Sequence, residues 1–391
     1  MGGTDKGCKE SNRSDKRIMK VMSVFGTRPE AIKMCPLVKE MQKYDSINSI
    51  VCLTGQHEEM LQQVIDIFDI QIDYNLHIMK PCQTLSSITT EILTLMKPVL
   101  EKEKPDIVLV HGDTTTSFAV ALAAFYEQIP VGHVEAGLRT YDKYAPYPEE
   151  MNRTLTSRIA ELHFAPTQTN RLCLEKENIT KNVYVTGNTV IDALKTTIRQ
   201  GYVYKSRQLA DLELNKKKII LVTAHRRENL GKPLLNICEA IKEILGKYQE
   251  AEVIYPMHLN PRVRETVIKV LGEEKRAHLI EPVDVEDMHN LMANSYLVMT
   301  DSGGIQEEAP SCGIPVVVLR NETERQEAID AGTVILAGTE KETIVREVSM
   351  LFEDTDKYQQ MSRAVNPYGD GRASERIAQI LLLYLAKRGM K

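Results

Sequence analysis

Short apolar runs alternate with helix-forming stretches along almost the whole chain. The runs cover 21–25, 49–53, 107–110, 131–134, 162–165 and 183–185 in the first half, and 219–223, 252–255, 277–280, 296–300, 315–319 and 333–336 in the second half. Strands this short and this apolar are typical of parallel sheets whose two faces are covered by helices. The alternation therefore predicts an α/β fold of doubly wound sheets with right-handed crossovers.

The chain has 391 residues, which is enough for two domains of ordinary size. We predict one Rossmann-like domain over residues 18–186 and a second over residues 187–372, with a cleft between them. A final helix at about 373–391 carries an apolar stripe and is expected to cross back onto the first domain. Residues 1–17 are polar and charged, so we predict a disordered tail rather than a signal peptide.

Composition and charge argue against several classes of protein. The formal net charge of -5 gives no general attraction to nucleic acid or to anionic membranes. No apolar run approaches the ~18 residues that a membrane span needs. The seven cysteines are scattered without a Cys-x-x-Cys pair, which predicts free thiols in a reducing compartment and no metal site. We expect a cytoplasmic protein.

Three acidic residues of the first half are predicted to lie at one rim of the first sheet, where its strands end. Asp113 follows the apolar run at 107–110, and Glu135 follows the run at 131–134. Glu149 comes next, in a proline-punctuated segment that we predict to be a loop. Ligands of open α/β sheets bind outside the carboxyl ends of the strands. Three acids at such a rim predict proton-transfer chemistry.

Two cations lie at the start of the first predicted helix. Arg28 and Lys33 follow the run at 21–25, where positive charge opposes the helix macrodipole. An anion bound at that N-terminus would reverse the penalty, and the fork of an arginine matches a phosphate. The alternative is that both side chains point into solvent. Because no Gly-x-Gly-x-x-Gly motif occurs here, we expect no dinucleotide cofactor.

Small residues follow the predicted strand at 296–300 in the second half. Ser302, Gly303 and Gly304 allow backbone N–H groups to approach an anion at a helix start. Glu308 lies one turn deeper on the face of Gly304 and is able to accept hydrogen bonds from ribose hydroxyls. This combination indicates a nucleotide, and the alternative is a tight turn with a solvated acidic helix start.

His225 and Arg325 are placed at the same rim by two further strands. His225, which Arg226 follows, is able to donate to a phosphate or to share a proton. The alternative is a structural role, which is more common for a lone histidine. His258 also follows a strand and would line the cleft.

Taken together, the motifs resemble the bacterial non-hydrolysing UDP-N-acetylglucosamine 2-epimerases. The matching segments occur in the family's order from about residue 20 to the C-terminus: FGTRPE at 25–30, HGDTT at 111–115, GHVEAGLR at 132–139, PEEMNR at 148–153, HRREN at 225–229, TDSGGIQEE at 300–308 and NPYGDG at 366–371. Each segment alone is a weak signal, whereas the ordered set is specific.

The resemblance implies two Rossmann-like domains arranged as in GT-B glycosyltransferases, usually in a homodimer, of which the second is a UDP-binding domain. It implies reversible conversion of UDP-GlcNAc into UDP-ManNAc for cell-surface polysaccharide synthesis, without a cofactor or metal. Carried over by motif, the catalytic residues are Asp113, Glu135, Glu149 and His225. The residues that hold UDP are Arg28, Lys33, His225, Ser302, Gly303, Gly304, Glu308 and Arg325.

Some members of the family bind UDP-GlcNAc at a second, activating site. Gln56, Arg226 and His258 match residues of that site. This chain departs from the pattern at Cys82, where some activated members carry an arginine, and at Gln326, which replaces a common proline.

The chemistry of the sugar favours elimination. The C2 proton is not acidic, so loss of UDP from C1 would assist its removal and give 2-acetamidoglucal, to which UDP then adds back. Protonation on two faces of C2 needs at least two acid/base groups. The alternatives are a hydrolysing epimerase that releases ManNAc and UDP, a GT-B glycosyltransferase that needs an acceptor, and a catalytically silent sensor of nucleotide sugars. The retained acids argue against the sensor.

Overall fold

The structure is a computed structural model that describes residues 18–55, 58–80, 83–212 and 217–389. Residues 1–17, which we predicted to be a disordered tail, lie outside the described residues, as do Gln56 and Cys82. Within the described ranges, no helix is both long enough and apolar enough to cross a bilayer.

The first half alternates strands and helices. Its strands are β1 Met19–Phe25, β2 Ile47–Leu53, β3 Tyr74–Asn75, β4 Ile107–His111, β5 Val131–Val134, β6 Leu162–Ala165 and β7 Val183–Val185. Its helices are α1 Arg28–Met41, α2 Glu58–Phe68, α3 Leu85–Glu103, α4 Thr115–Tyr126, α5 Glu149–Ile159, α6 Gln168–Lys176 and α7 Thr189–Thr197.

The second half repeats the alternation. Its strands are β8 Lys218–Thr223, β9 Ala251–Pro256, β10 Ala277–Ile280, β11 Leu297–Thr300, β12 Val316–Val318 and β13 Val334–Leu336. Its helices are α8 Arg207–Ala210, α9 Lys232–Lys247, α10 Pro261–Leu271, α11 Val285–Ala293, α12 Gly303–Glu308, α13 Gln326–Asp330, α14 Lys341–Glu353, α15 Thr355–Ser362 and α16 Ala373–Gly389.

The strands form two parallel sheets, in the orders β3-β2-β1-β4-β5-β6-β7 and β10-β9-β8-β11-β12-β13. The doubly wound α/β fold predicted from the apolar runs is confirmed. The central strands β4 and β11 are fully buried, in all five and all four of their residues, as expected for strands covered on both faces. Strand β3 was not predicted from the sequence; it has two residues, one partly buried and one exposed.

Strand order reverses between β1 and β4 in the first sheet and between β8 and β11 in the second. Outside the carboxyl ends of such a pair of strands, the two flanking turns diverge and leave a crevice, which is where open α/β sheets bind ligands. Each half of the chain therefore offers one crevice.

The last helix packs on the first sheet rather than on the second. Ile377, Leu381 and Leu385 belong to the same buried cluster as Val21 and Phe25 of β1. The helix start is held by a buried carboxylate on α7, since Asp192 accepts the N–H groups of Ala373 and Ser374 at 3.1 and 2.8 Å. The domain limits at 18–186 and 187–372 stay a prediction.

Candidate active site

The turns singled out by the sequence analysis lie at the two crevices. The turn after β1 carries Arg28 and the turn after β4 carries Asp113, while the turns after β8 and β11 carry His225 and Ser302. These four positions therefore occupy both strand-order reversals, where the fold concentrates ligand binding.

A capping box holds the turn after β1. Thr27 is the N-cap of α1, and its hydroxyl accepts the N–H of Glu30 at 3.4 Å. Glu30 Oε2 in return accepts the N–H groups of Gly26 and Thr27 at 3.0 and 2.8 Å. This reciprocal arrangement satisfies the free donors at the helix start and places Arg28, the first helical residue, at the crevice.

Glu30 also joins this turn to the one after β4. Its Oε1 accepts the hydroxyl of Thr114 at 2.6 Å and that of Ser117 at 3.1 Å. The Glu30 side chain is buried with 2% exposure, so its carboxylate depends on these donors. One side chain thus fixes the position of Arg28 relative to Asp113.

Glu135 is bound by two basic side chains. Its Oε1 accepts a hydrogen bond from Lys33 Nζ at 2.5 Å, and His111 Nε2 lies 2.9 Å from Oε2. Burial alone would raise the pKa of Glu135, but Lys33 and His111 hold it well below its usual range. Glu135 therefore stays ionised, and its backbone has a positive φ of 62° that turns the side chain into the site.

The pKa of Asp113 is displaced in the opposite direction, upwards. Burial raises the pKa of Asp113 and Glu135 adds to the rise, although Arg153 opposes it. Arg153 Nη2 lies 2.7 Å from Asp113 Oδ2. The preceding glycine, Gly112, has a φ of 62° and its carbonyl accepts a hydrogen bond from His133 Nε2 at 2.7 Å, so the turn that carries Asp113 is anchored to β5.

Glu149 is the first residue of helix α5, so the prediction of a loop at this position was wrong. The proline-punctuated segment ends at Pro148, and the helix begins with two acids that suit the positive end of its dipole. Glu150 accepts the N–H groups of Thr140 and Tyr141 at 3.0 and 2.9 Å. By contrast, Glu149 Oε2 is buried with no hydrogen-bond partner among the described residues, which leaves Glu149 available for chemistry.

A buried aspartate shapes the turn after β8. Asp301 Oδ2 accepts the N–H groups of His225 and Arg226, both at 2.8 Å, and the amide of Asn229 at 2.9 Å. The imidazole of His225 stacks on that of His258, with ring centroids 5.0 Å apart and planes at 24°. Both rings are exposed, so each is free to meet a ligand.

The start of α12 has the geometry that the sequence analysis predicted. A side chain added at Gly304 would lie 3.1 Å from Glu308 Oε1, which confirms that the two residues share a helix face. Glu308 Oε2 lies 3.1 Å from His289 Nε2. Burial would raise the pKa of Glu308, but His289, Lys33 and Arg28 lower it. Since Arg28 and Lys33 come from the first half, their influence on Glu308 means that the two crevices face each other.

Arg325 lies over the start of the same helix. A Cβ at Gly303 would come within 2.7 Å of the Arg325 guanidinium carbon, so glycine is needed there for the arginine to approach. Arg325 Nη2 and Nε lie 2.9 and 3.0 Å from Glu307 Oε1. Glu307 is 4% exposed, and burial raises its pKa although Arg325 and Lys33 oppose the rise.

One small cavity brings Asp113 and Glu135 of the first half together with Arg325. Its volume is about 190 Å³, and its lining comprises Lys33, Gly112, Asp113, Glu135, Leu138, Arg153 and Arg325. Ligand pockets usually measure at least ~300 Å³. This cavity is therefore smaller than a typical ligand pocket and by itself holds only part of a ligand the size of a nucleotide sugar.

The residues matched to an activating site are only partly described. Arg226 and His258 lie beside His225 at the mouth of the cleft. Gln56 is outside the described residues, so its position relative to them stays a prediction.

Four residues of the site were not candidates in the sequence analysis: His111, Arg153, Asn188 and Glu307. The spacing of Arg153 could have identified it, because residues four apart share a face of a helix and Arg153 follows Glu149 by four. The prediction of a loop at Glu149 hid this relationship. His111 lies in the HGDTT segment at 111–115, but the sequence indicated only a role in the core or behind the site residues for it. Nothing in the sequence pattern indicates that Asn188 and Glu307 meet, since they are 119 residues apart.

The comparisons with known proteins agree on one family. The family model described as UDP-N-acetylglucosamine 2-epimerase matches residues 39–382. The chain is 55% identical over 371 residues to the UDP-N-acetylglucosamine 2-epimerase of Bacillus subtilis, covering 95% of this chain and 97% of the relative. It is 53% identical over 370 residues to that of Escherichia coli, covering 93% and 98%. A crystal structure of UDP-GlcNAc 2-epimerase from Neisseria meningitidis bound to UDP-GlcNAc matches with a TM-score of 0.83 at 50% identity, covering 93% of this chain and 100% of that chain.

Proposed function

Because the chain belongs to the UDP-N-acetylglucosamine 2-epimerase family, we propose that it is a non-hydrolysing epimerase that interconverts UDP-GlcNAc and UDP-ManNAc. The fold is the GT-B-like pair of α/β units expected for such an enzyme. The reaction inverts C2 of the sugar and leaves its composition unchanged.

One observation carries the proposal: Asp113 and Glu135 line the same cavity with their pKa values displaced in opposite directions. Two carboxylates whose environments separate their proton affinities are suited to an acid and a base. Glu135, with its pKa held low by Lys33 and His111, is ionised and suited to accept a proton. Asp113, with its pKa raised by burial, is suited to hold one. Glu149, the first residue of α5, is the third carboxylate that we assign to the reaction.

The reaction that we propose is an elimination followed by an addition. A carboxylate takes the C2 proton, the C2–H electron pair forms the C1=C2 double bond of 2-acetamidoglucal, and the C1–O bond breaks with its electron pair going to UDP. In the return step, a protonated carboxyl delivers a proton to the opposite face of C2 while a UDP oxygen forms the new bond to C1. Atoms and charge balance without an oxidant or a hydride donor.

The departing UDP carries negative charge that the cleft is able to stabilise. Arg28 and Lys33 approach from the first half, and His225 and Arg325 from the second. Ser302, Gly303 and Gly304 would present the start of α12 to the diphosphate, with Glu308 accepting the ribose hydroxyls. Burial lowers the pKa of His225, so it would act as a hydrogen-bond donor, whereas the other three are cations. Preorganised cations and donors at a developing charge lower the barrier to bond cleavage.

The test is incubation with UDP-GlcNAc in D₂O without an acceptor, followed by NMR. We expect UDP-ManNAc that carries deuterium at C2. Free ManNAc together with UDP would indicate the hydrolysing enzyme, and unchanged substrate would indicate a transferase or a sensor. UDP-GlcNAc labelled with ¹⁸O in the bridging position adds a test of the elimination, because cleavage of C1–O allows the label to scramble into the β-phosphate.

An Asp113→Asn variant serves as the negative control for the same assay. It keeps the size of the side chain but cannot exchange a proton, so we expect a loss of turnover of about 10² or more. The partly exposed Glu127, at the end of α4, is the matched position at which a Glu→Gln change should leave turnover intact.

Three further expectations stay predictions: a homodimer, a cytoplasmic location and activation by UDP-GlcNAc at the site of Gln56, Arg226 and His258. Light scattering of the purified protein tests the first. A sigmoidal dependence of rate on UDP-GlcNAc concentration that His258→Ala removes tests the third.

A further inference from the structure

Asn188 lies where the chain passes from the first sheet to the second half. It is the N-cap of α7, and its Oδ1 accepts the N–H of Val190 at 3.1 Å. Its own backbone N–H donates to the carbonyl of Tyr368 at 2.7 Å, in the segment that returns to the first sheet before α16. The side chain is 3% exposed. Asn188 is therefore held at the crossing of both connections between the halves.

The amide nitrogen of Asn188 bridges two carboxylates from opposite halves. Nδ2 donates to Glu307 Oε2 at 2.8 Å and to Glu135 Oε1 at 3.2 Å. The orientation of the amide is determined by its partners, because the Val190 N–H needs an acceptor and both carboxylates need donors. Among the common N-cap residues, asparagine alone combines an acceptor with two such donors.

A continuous polar chain results, which runs from Lys33 through Glu135, Asn188 and Glu307 to Arg325. Lys33 and Arg325 are the cations proposed to meet the diphosphate. When they turn towards it, Glu135 Oε1 and the Glu307 carboxylate lose these cations and keep the amide of Asn188, while His111 still faces Glu135 Oε2. That contact fixes Glu135 Oε1 with respect to the crossing point of the two halves.

We propose that Asn188 is a positioning residue. Its amide orients the Glu135 carboxylate towards the sugar, and through Glu307 it couples the orientation of Glu135 to the position of the second half. The inference rests on the proposed epimerase function. It assigns to Asn188 a role in turnover rather than in holding UDP, because the residue contacts the carboxylates and lies behind the cations.

Substitution by serine separates this role from helix capping. Asn188→Ser keeps an oxygen that is able to cap α7 but is too short to bridge the carboxylates. We expect kcat to fall by about ten-fold or more, because small misplacements of a reacting group are costly, with KM changed by less than about three-fold. Asp354→Ala is the matched control: it removes the N-cap of α15, so its thermal stability should fall while its kcat stays unchanged.

Substitution by aspartate adds an electrostatic readout. Asn188→Asp also caps α7, but it places a third carboxylate beside Glu135 and Glu307. The acid limb of the kcat profile should move to higher pH, since a like charge raises the proton affinity of Glu135. The charged groups that face Glu135 are Lys33, His111, Asp113, Glu307 and Arg325, and all are retained in the variant.

The outcomes separate the two proposals. If the wild-type protein forms no UDP-ManNAc, the proposed function is overturned. The positioning role is then tested by a crystal structure of Asn188→Ser, in which we expect the Glu135 carboxylate to move. A serine variant with wild-type kcat and pH profile, or with the Glu135 carboxylate in place, overturns the positioning role.

Discussion

Arg153 Nη2 lies 2.7 Å from Asp113 Oδ2, which joins helix α5 to the turn after β4. The Arg153 side chain is 5% exposed, whereas that of Asp113 is 29% exposed. The cation is therefore removed from water and the acid still faces the cavity. Because Arg153 is four residues after Glu149, the same helix supplies both a catalytic candidate and the counter-ion of another.

Replacing Arg153 should change the pH dependence of turnover. Burial already raises the pKa of Asp113 and Arg153 opposes that rise, so Arg153→Gln should raise the pKa further. If turnover needs ionised Asp113, the acid limb of the kcat profile moves to higher pH; if it needs the protonated acid, the alkaline limb moves to higher pH. The measurement is kcat between pH 5 and 9, with the exposed Arg158 of the same helix as the site of a control Arg→Gln change. Superimposable pH profiles of the wild type and Arg153→Gln would contradict the idea that Arg153 controls the pKa of Asp113 in turnover.

Glu149→Gln should reduce turnover by about 10² or more while UDP still binds. The reason is that Glu149 Oε2 is buried with no hydrogen-bond partner within the described part of the chain, so the carboxylate is free for proton transfer. Calorimetric titration with UDP and the NMR assay give the two readouts. The neighbouring Glu150, which binds two backbone N–H groups, provides the contrast: Glu150→Gln should lower thermal stability. Retained turnover in Glu149→Gln would remove Glu149 from the mechanism.

The sequence predicted the architecture well because buried parallel strands leave a strong local signal. The runs at 131–134, 162–165, 183–185 and 277–280 coincide with strands β5, β6, β7 and β10. The signal fails for β3, whose two residues Tyr74 and Asn75 pair with the end of β2. A strand of two residues has no periodicity, and only its pairing with β2 at the edge of the sheet defines it.

The site was less accessible to prediction, because much of it depends on contacts between distant residues. Asp113 and Glu135 were found from their positions after apolar runs. The pairing of Glu135 with Lys33 spans 102 residues. Its result is a pKa of Glu135 that is lowered in spite of burial, because the fold brings Lys33 and His111 beside the carboxylate. For Glu149 the local sequence was misleading. The prolines before it suggested a loop, but helix α5 begins immediately after them.

Arg28→Ala should weaken UDP binding. Arg28 is the first residue of α1 and lies close enough to Glu308 to lower its pKa, so it reaches across the cleft to the proposed nucleotide side. Loss of one charge-assisted contact to a phosphate typically costs ~1.5–3 kcal/mol, about ten- to hundred-fold in Kd. Calorimetric titration with UDP measures the change. Lys43→Ala, at an exposed position just beyond the other end of α1, is the control, and an unchanged Kd in Arg28→Ala would refute the assignment.

Two buried histidines should make the fold sensitive to mild acid. His133 and His163 are neighbours in register on β5 and β6, and burial lowers the pKa of His133 to about 3 and that of His163 to about 4. Each is thus neutral in the folded state, whereas in the unfolded chain each takes up a proton near pH 6.5. Since the unfolded state then binds more protons, stability is lost as the pH falls below 6.5 towards the folded pKa values.

Denaturant unfolding at pH 7 and pH 5 measures this loss. For His163 alone, the difference between an unfolded pKa near 6.5 and a folded one near 4 amounts to about 2 kcal/mol between those pH values. His163→Gln lacks the titrating group, so its free energy of unfolding should fall less than that of the wild type by about this amount, whatever its stability at pH 7. The variant at His133 should act in the same direction, with a non-additive double variant because the two rings are neighbours. Parallel curves for wild type and His163→Gln would mean that His163 is protonated in the folded protein or that the unfolded chain does not take up its proton.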